Sequence, residues 1–124
     1  MTIDHISAVT FAVADMGRAI VFYEKCGFER LYGDAEAEFT SFRAGKGFVN
    51  LILTRGHTPK WWGRAIFRVD SADEQYRRLL TAGLVPDSPQ DAPWGERYFH
   101  IIDPDGHELS FAELIGQSTG AGVH

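Results

Sequence analysis

Residues 93–111 read PWGERYFHIIDPDGHELSF, and the DPDG turn inside this stretch decides how it folds. Pro104 and Asp105 suit the central positions of a type I turn, and Gly106 suits the left-handed residue that follows it. The flanking residues then form a β-hairpin in which Asp103 lies opposite His107, and the numbers of paired residues sum to 210. The stretch therefore predicts two antiparallel strands joined by a three-residue turn.

The register of this hairpin separates two histidines that at first suggest a metal site. Side chains alternate between the two faces of a strand, so one set must face the helices and the other must face away from them. His100 and His107 are predicted to point to opposite faces, and Asp105 is predicted to face water at the tip of the turn. His107 is expected to be the partner of Asp103. The apolar set is Phe99, Ile101, Leu109 and Phe111, and the opposite set is Tyr98, His100, Ile102, Glu108, Ser110 and Ala112.

The chain repeats one pattern of a strand, a helix and three further strands. Asp15 caps the first helix and Gly27 stops it, whereas Ser71 caps the second helix, with Glu74 at the spacing of a capping box. Gly83 ends the second helix. The predicted strands are 6–13, 28–33, 38–44 and 47–54 in the first copy, and 63–69, 84–86, 95–102 and 108–113 in the second.

The two copies superpose at a shift of 56 residues, which places Val13 on Val69 and Gly27 on Gly83. Recurrence of this kind indicates an internal duplication. The sequence therefore predicts an α+β fold, in which two tandem βαβββ modules form a cup-shaped mixed sheet with the helices outside. The predicted organisation is a single domain over 1–115, with module one at 6–54, a linker at 55–62, module two at 63–113 and a flexible tail at 116–124.

Size and composition exclude several classes of protein. The 124 residues suit one domain, and 12 basic against 17 acidic residues give a net charge of −5, which argues against nucleic-acid binding. No stretch approaches the ~20 apolar residues needed to span a bilayer, and the N-terminus lacks the pattern of a signal peptide. The single cysteine, Cys26, excludes an internal disulfide. We expect a cytoplasmic protein with neither a nucleic-acid nor a membrane partner.

Three features of the sequence together carry a resemblance to a known family. They are the repeated unit, the segment VADMGRAIVFYEKCGFE (13–29) and the segment PWGERYFHIIDPDGHELSF. Over about residues 6–113 the chain resembles the vicinal oxygen chelate superfamily. Its members include glyoxalase I, extradiol dioxygenases, fosfomycin-modifying enzymes and bleomycin-binding resistance proteins. The resemblance implies that the sheets of the two modules curl into a cup with a small-molecule ligand inside. It also implies a homodimer, and the exposed sheet edges of each module favour the same interpretation because unpaired edges need covering.

In metal-dependent members of this superfamily, the resemblance places the ligands on the first and last strands of each module. In this sequence those four positions hold Ala8, Asn50, Arg64 and Ser110. Alanine has no donor atom, arginine is a permanent cation, and serine and asparagine are poor ligands for a transition metal. The sequence therefore predicts neither the superfamily's metal ion nor any other cofactor.

The alternation of side chains also predicts which residues line the cup. We expect Arg64 to contact a ligand, because a cup without metal has little else to neutralise the charge of this arginine. Arg68 and Glu108 are candidates for a structural ion pair. Trp62 and Trp94 stand where the linker and the last hairpin enter the sheets, so they could also be rim packing. The candidate binding residues are Phe48, Asn50, Trp62, Arg64, Trp94, Tyr98, His100, Glu108 and Ser110.

Two functions from different classes remain open at this point. The first is metal-free binding or sequestration of a small, partly aromatic molecule in the cup. The second is an enzyme of the superfamily, namely a lyase, isomerase or dioxygenase, which either works without metal or uses unrecognised metal ligands. His100, Tyr98 and Glu108 are the candidate acid–base groups for the second function. Cys26 is interpreted as inert packing, because it lies on the apolar face of the first helix.

Overall fold

The computed structural model describes residues 2–116. Along this part of the chain a strand, a helix and three strands occur twice in succession. Beyond residue 116, the predicted flexible tail lies outside the described residues. The strands are β1 (Ala8–Val13), β2 (Glu29–Tyr32), β3 (Phe39–Ala44), β4 (Gly47–Leu53), β5 (Arg64–Arg68), β6 (Gln90–Ala92), β7 (Glu96–Ile102) and β8 (Glu108–Leu114), and the helices are α1 (Met16–Lys25) and α2 (Ala72–Thr81).

Each module forms one four-stranded mixed sheet. The strand orders are β1-β4-β3-β2 in module one and β5-β8-β7-β6 in module two. The first strand of each module pairs parallel with the last, and the other neighbours pair antiparallel. Both sheets stay open, so the structure confirms the predicted α+β fold of two βαβββ modules in a cup-like arrangement.

The two helices occupy equivalent places in the repeat. Asp15 and Ser71 are their N-caps, and the side chains accept hydrogen bonds from the backbone of Arg18 at 3.0 Å and of Glu74 at 3.1 Å. Both helices have 10 residues, and both begin and end 56 positions apart. The caps and the repeat are therefore as predicted. Neither helix in the described part of the chain is long and apolar enough to cross a membrane.

The hairpin of β7 and β8 has the predicted register, since its pairs run from Glu96 opposite Leu114 to Ile102 opposite Glu108. Phe99 is buried, and its ring packs against Phe111 with ring centroids 5.4 Å apart. The next residue along the strand points to the other face. Phe99 and His100 therefore lie on opposite faces of the sheet, as predicted.

The hydrophobic core is continuous between the modules. Phe28, which follows α1, meets Phe67 of β5 at a centroid distance of 5.0 Å and Phe111 of β8 at 6.4 Å. The side-chain amide of Gln75 on α2 donates to the carbonyl of Cys26 at 2.6 Å. Burial of each large apolar side chain contributes about 1.5–3 kcal/mol, so the two modules stabilise each other.

The predicted strand near 84–86 is wrong. Residues 84–89 form no strand, and the strand of this region is β6 at Gln90–Ala92. Pro86 and Pro89 have no N–H to donate to a sheet ladder, which disfavours a strand between them. Asp87 instead bonds to the backbone of His100, donating its own N–H to the carbonyl and accepting the N–H on its side chain.

Candidate functional site

The DPDG turn is buried, which contradicts the expectation for Asp105. This residue was predicted to face water but is 0% exposed. Its carboxylate accepts the backbone N–H of Ala14 at 2.9 Å and the guanidinium of Arg18 at 3.1 Å. The sequence shows the turn but not that it docks beside the N-terminus of α1, where a negative charge is stabilised.

Asp103 holds the turn in shape. One carboxylate oxygen accepts the backbone N–H groups of Asp105 at 2.9 Å and of His107 at 2.8 Å, and the other accepts the hydroxyl of Tyr23 at 2.7 Å. Burial, followed by the nearby charge of Asp103, raises the pKa of Tyr23 well above its ordinary value. Tyr23 therefore keeps its proton and remains a donor from module one to module two.

The ring of His107 joins the linker to module one. Trp62 Nε1 donates to its Nδ1 at 2.7 Å, so the ring proton lies on Nε2, which donates to the carbonyl of Ala12 at 2.7 Å. The ring also stacks on Phe11 at 4.8 Å. His107 pairs with Asp103 through its backbone, as predicted, while its side chain contacts Trp62, Ala12 and Phe11. We call Asp103, Asp105 and His107 the turn cluster, and it is a structural connection between the modules.

A second polar group lies on the face of the module-two sheet that points away from the helices, here called the open face. Glu108 on this face is 8% exposed. It accepts the indole N–H of Trp61 at 2.8 Å, and its other oxygen lies 2.7 Å from Arg64 Nε and 3.5 Å from His100 Nδ1. The predicted residues Arg64, His100 and Glu108 are thus brought together.

The predicted ion pair of Arg68 with Glu108 is wrong, and so is the expectation that Arg64 lacks a neutralising partner. Arg64 is directly opposite Glu108 in the β5–β8 ladder, whereas Arg68 is opposite Ala112. Four residues of strand separate the two arginines by roughly 13 Å, which puts Arg68 beyond reach of Glu108. Arg68 pairs instead with Glu96 at 3.1 Å.

The contact between Arg64 and Glu108 is short but poorly aligned for a hydrogen bond. Glu108 Oε2 is buried and receives no well-directed hydrogen bond from the described residues, although Arg64 Nε lies 2.7 Å away. A carboxylate oxygen held mainly by charge retains capacity to accept a further donor. A polar ligand N–H or O–H could complete its hydrogen bonding.

Aromatic side chains extend from this group along β7. Trp94 donates its indole N–H to Glu96 at 2.8 Å, and its ring stacks with Tyr98 at a centroid distance of 6.5 Å and an angle of 15°. The rings of Tyr98 and His100 lie 5.2 Å apart. We call Trp94, Tyr98 and His100 the aromatic strip.

Two cavities border the predicted binding residues. One has a volume of about 420 Å³ on the open face, where Arg64, His100 and Glu108 contribute to its wall. The other, of about 630 Å³, lies between the modules and is lined in part by Phe48, Trp62 and Arg64. Arg64 is the predicted binding residue that borders both spaces.

Two other predicted binding residues differ in their relation to this group. Asn50 is on the module-one sheet, where its side chain accepts the hydroxyl of Ser41 at 2.7 Å. Ser110 lies on the open face itself, opposite His100 in the β7–β8 ladder, and is 0% exposed. Trp61 was missed, because sequence reasoning chose its neighbour Trp62 from the WW pair, and only the long-range contact with Glu108 distinguishes the two.

The family that the sequence matches agrees with this architecture. The model of the "Glyoxalase/Bleomycin resistance protein/Dioxygenase superfamily" matches residues 2–111. The chain belongs to this superfamily. No curated protein matches it significantly in sequence.

Several solved structures share this fold. A putative glyoxalase family protein from Bacillus anthracis has a TM-score of 0.77 at 23% identity, covering 92% of this chain and 98% of that one. A bleomycin-binding protein complexed with bleomycin has a TM-score of 0.74 at 22% identity, covering 90% and 98% respectively. TioX from Micromonospora sp. ML1 has a TM-score of 0.73 at 25% identity, covering 90% and 100%.

The superfamily's metal positions do not suit a metal ion in this member. Ala8 offers no donor atom, Asn50 is engaged with Ser41, and the guanidinium of Arg64 is ion-paired with Glu108. A cationic guanidinium repels a divalent ion and cannot ligate it. Within residues 2–116, no group of three or more His, Cys, Asp or Glu side chains is placed to hold one.

Cys26 is a poor candidate for a nucleophile in this superfamily member. It is 2% exposed, and burial together with the charge of Asp103 raises the pKa of its thiol to about 12. The reactive form of cysteine is the thiolate, which is scarce at neutral pH for such a group. The structure therefore favours the interpretation of Cys26 as packing.

Proposed function

We propose that the open face of module two binds a small, partly aromatic molecule and that binding needs neither a metal ion nor turnover. The observation that carries this proposal is the group of Arg64, His100 and Glu108 around a cavity of about 420 Å³ beside the aromatic strip. Sites of this size with apolar side chains and a few converging polar groups, here with Val85, Ile101 and Ile102 in the wall, are typical of small-molecule binding.

The chemistry of the wall indicates how such a molecule is held. His100, at one end of the aromatic strip, borders this cavity, and an aromatic pair with the ligand contributes about 0.5–1.5 kcal/mol beyond area burial. Glu108 Oε2 can accept a hydrogen bond from the ligand, and Arg64 beside it can donate one. The fold likeness to a protein that holds bleomycin supports a ligand of mixed aromatic and polar character.

The absence of a metal in this proposal rests on the residues at the superfamily's ligand positions. Ala8, Asn50, Arg64 and Ser110 would have to surround the ion, and together they supply neither imidazole nor carboxylate. Transition metals select such anionic or imidazole donors over hydroxyl and amide groups. We accordingly propose that no other cofactor is needed for binding.

Arg64→Gln is expected to weaken binding of a ligand at the open face by about tenfold or more, because a charge-assisted hydrogen bond contributes about 1.5–3 kcal/mol. The measurement is a titration with bleomycin and glutathione adducts, followed by tryptophan fluorescence. Arg55→Ala is the control, since Arg55 pairs with Glu38 at 3.6 Å and both side chains are 78% exposed. Equal affinities for the parent and Arg64→Gln would show that the site is elsewhere.

The enzyme alternative is favoured by one contact. His100 Nδ1 lies 3.5 Å from Glu108 Oε2, and Tyr98 is next to the imidazole ring. A carboxylate that orients an imidazole is a common arrangement for moving a proton. If His100→Ala binds a compound normally but abolishes its conversion, the protein is an enzyme. Metal analysis of the purified protein separates metal-free chemistry from a metal site built by other residues.

We also propose a homodimer in the cytoplasm. Exposed apolar side chains on the sheets support the dimer, since Phe48, Ile52 and Ile102 are 39%, 45% and 52% exposed. The free, buried thiol of Cys26 supports a reducing compartment. Light scattering is expected to give twice the chain mass of 13.8 kDa at micromolar concentration, and a value near one chain mass would contradict the dimer.

A further inference from the structure

The two modules differ at one turn, although their helices repeat at a constant shift. In module two, the turn between β7 and β8 places three residues between Asp103 and His107, whose backbones pair at 2.8 Å. In module one, the turn between β3 and β4 places only Gly45 and Lys46 between the paired residues Ala44 and Gly47. The shorter turn has no counterpart of the buried Asp105.

The longer turn of module two packs against α1, whereas the shorter turn of module one leaves a space beside it. Asp105 reaches Ala14 and Arg18 at the start of α1, as described above. Beside the short turn of module one, next to β5 and α2, there is a cavity of about 460 Å³ bordered by Ala44, Gly45 and Arg68. A Cβ added at Gly45 would meet nothing within 4 Å, so the short turn does not reach across the gap.

The charge of this cavity is opposite to that of the whole protein. Its lining contains three arginines, Arg43, Arg68 and Arg78, and no aspartate or glutamate. The sequence as a whole carries 17 acidic against 12 basic residues. We call this space the arginine cavity. An adjoining cavity of about 320 Å³ shares Arg68 and Arg78 but also contains Asp70 and Glu74 in its wall. An anionic group is therefore expected in the arginine cavity and not in the adjoining one.

Arg78 is the arginine best placed to receive an anion. Arg43 and Arg68 already face Glu29 and Glu96 at 3.2 Å and 3.1 Å. No ion pair joins Arg78 to any carboxylate among residues 2–116. Its guanidinium packs where a Cβ would stand at Gly27, so the glycine lets it lie against the cavity wall.

Apolar side chains line the same cavity as the arginines. Phe28, Phe67 and Phe111 contribute to its wall, and the ring of Phe28 meets that of Phe67 edge to face at 5.0 Å. An aromatic edge-and-face wall beside guanidinium groups suits a ligand with a flat apolar body and one negative end. The volume lies within the range of about 300–1,000 Å³ that is usual for small-molecule sites.

We propose that the arginine cavity is a second ligand site, separate from the open face, that binds an aromatic carboxylate. The ligand carboxylate ion-pairs with Arg78, and the aromatic ring packs against Phe28 and Phe67.

The test uses 1-naphthoate as the anionic probe and 1-naphthalenemethanol as its neutral isostere. Calorimetric titration of the full chain is expected to show that 1-naphthoate binds at least about tenfold more tightly than the alcohol, because a charge-assisted pair with arginine is lost in the alcohol. Raising the salt concentration is expected to weaken binding of the acid and to leave binding of the alcohol unchanged. Equal binding of the two probes, or no binding of 1-naphthoate at millimolar concentration, would overturn the proposal.

Matched variants locate the site. Arg78→Ala is expected to reduce the affinity for 1-naphthoate about tenfold, Arg78→Lys to reduce it less, and Arg77→Ala to leave it unchanged, since Arg77 does not line the cavity. Arg64→Gln, which tests the open face, is expected to leave 1-naphthoate binding intact, so failure at one site does not imply failure at the other. If Arg64→Gln abolishes the binding and Arg78→Ala does not, the probe occupies the open face and the second site does not exist.

Discussion

Asp103→Ala is expected to lower the free energy of unfolding by about 3–5 kcal/mol, the range found when one member of a buried polar network is removed. The carboxylate is 4% exposed and accepts three hydrogen bonds, two from the turn and one from Tyr23 of module one. Alanine would leave those donors without their acceptor. Urea denaturation followed by circular dichroism measures the change.

Asp91→Ala is the matched control for this prediction. Asp91 is also an aspartate that accepts hydrogen bonds, but its side chain is 60% exposed and contacts Arg97 at 2.8 Å near the surface. Exposed pairs contribute about 0–1 kcal/mol, so the control should remain close to the parent. A loss in Asp103→Ala no larger than in Asp91→Ala would show that the turn cluster does not hold the modules together.

Gly106→Ala is expected to cost about 3 kcal/mol or more, because it combines a strained backbone with an overlap between backbone atoms. Gly106 has φ of +89°, and an added Cβ would lie 2.8 Å from the backbone nitrogen of Lys60 and 3.0 Å from the Cα of Pro59. A left-handed alanine costs roughly 1–2 kcal/mol on its own. The linker would also have to move away from the turn.

Gly45→Ala separates these two contributions. Gly45 has φ of +61°, but a Cβ there would have open space around it. Its cost is expected to be only the conformational part, about 1–2 kcal/mol. Similar losses in the two variants, measured by thermal unfolding, would mean that the linker does not press on the DPDG turn.

The turn cluster also changes the chemical meaning of the DPDGH segment in this chain. Two aspartates and a histidine close in sequence suggest a site for catalysis or for a metal, but each of them is engaged in contacts that hold module two to module one. The polar chemistry available to a ligand lies instead on the open face. Arg64 meets such a ligand as half of an ion pair with Glu108 and not as a free cation.

The local features of the fold could be predicted from the sequence. Asp15 and Ser71 cap the helices, and DPDG sets the register of β7 and β8, because each signal involves residues within a few positions of one another. The alternation of side chains then assigned Phe99 and His100 to opposite faces without further information. The 56-residue repeat also predicted that the chain forms two equivalent modules.

The tertiary structure alone decided which charged and aromatic side chains meet. Asp105 with Arg18, Trp62 with His107 and Trp61 with Glu108 are separated by 87, 45 and 47 residues along the chain. Such contacts depend on how the two modules and the linker pack, and the position along a strand sets the partner, as Arg64 and Arg68, four positions apart on β5, show. The burial of Asp105 and the gap left by the shorter turn of module one have the same origin. Sequence periodicity reports the face on which a side chain lies, and only three-dimensional packing determines what stands opposite it.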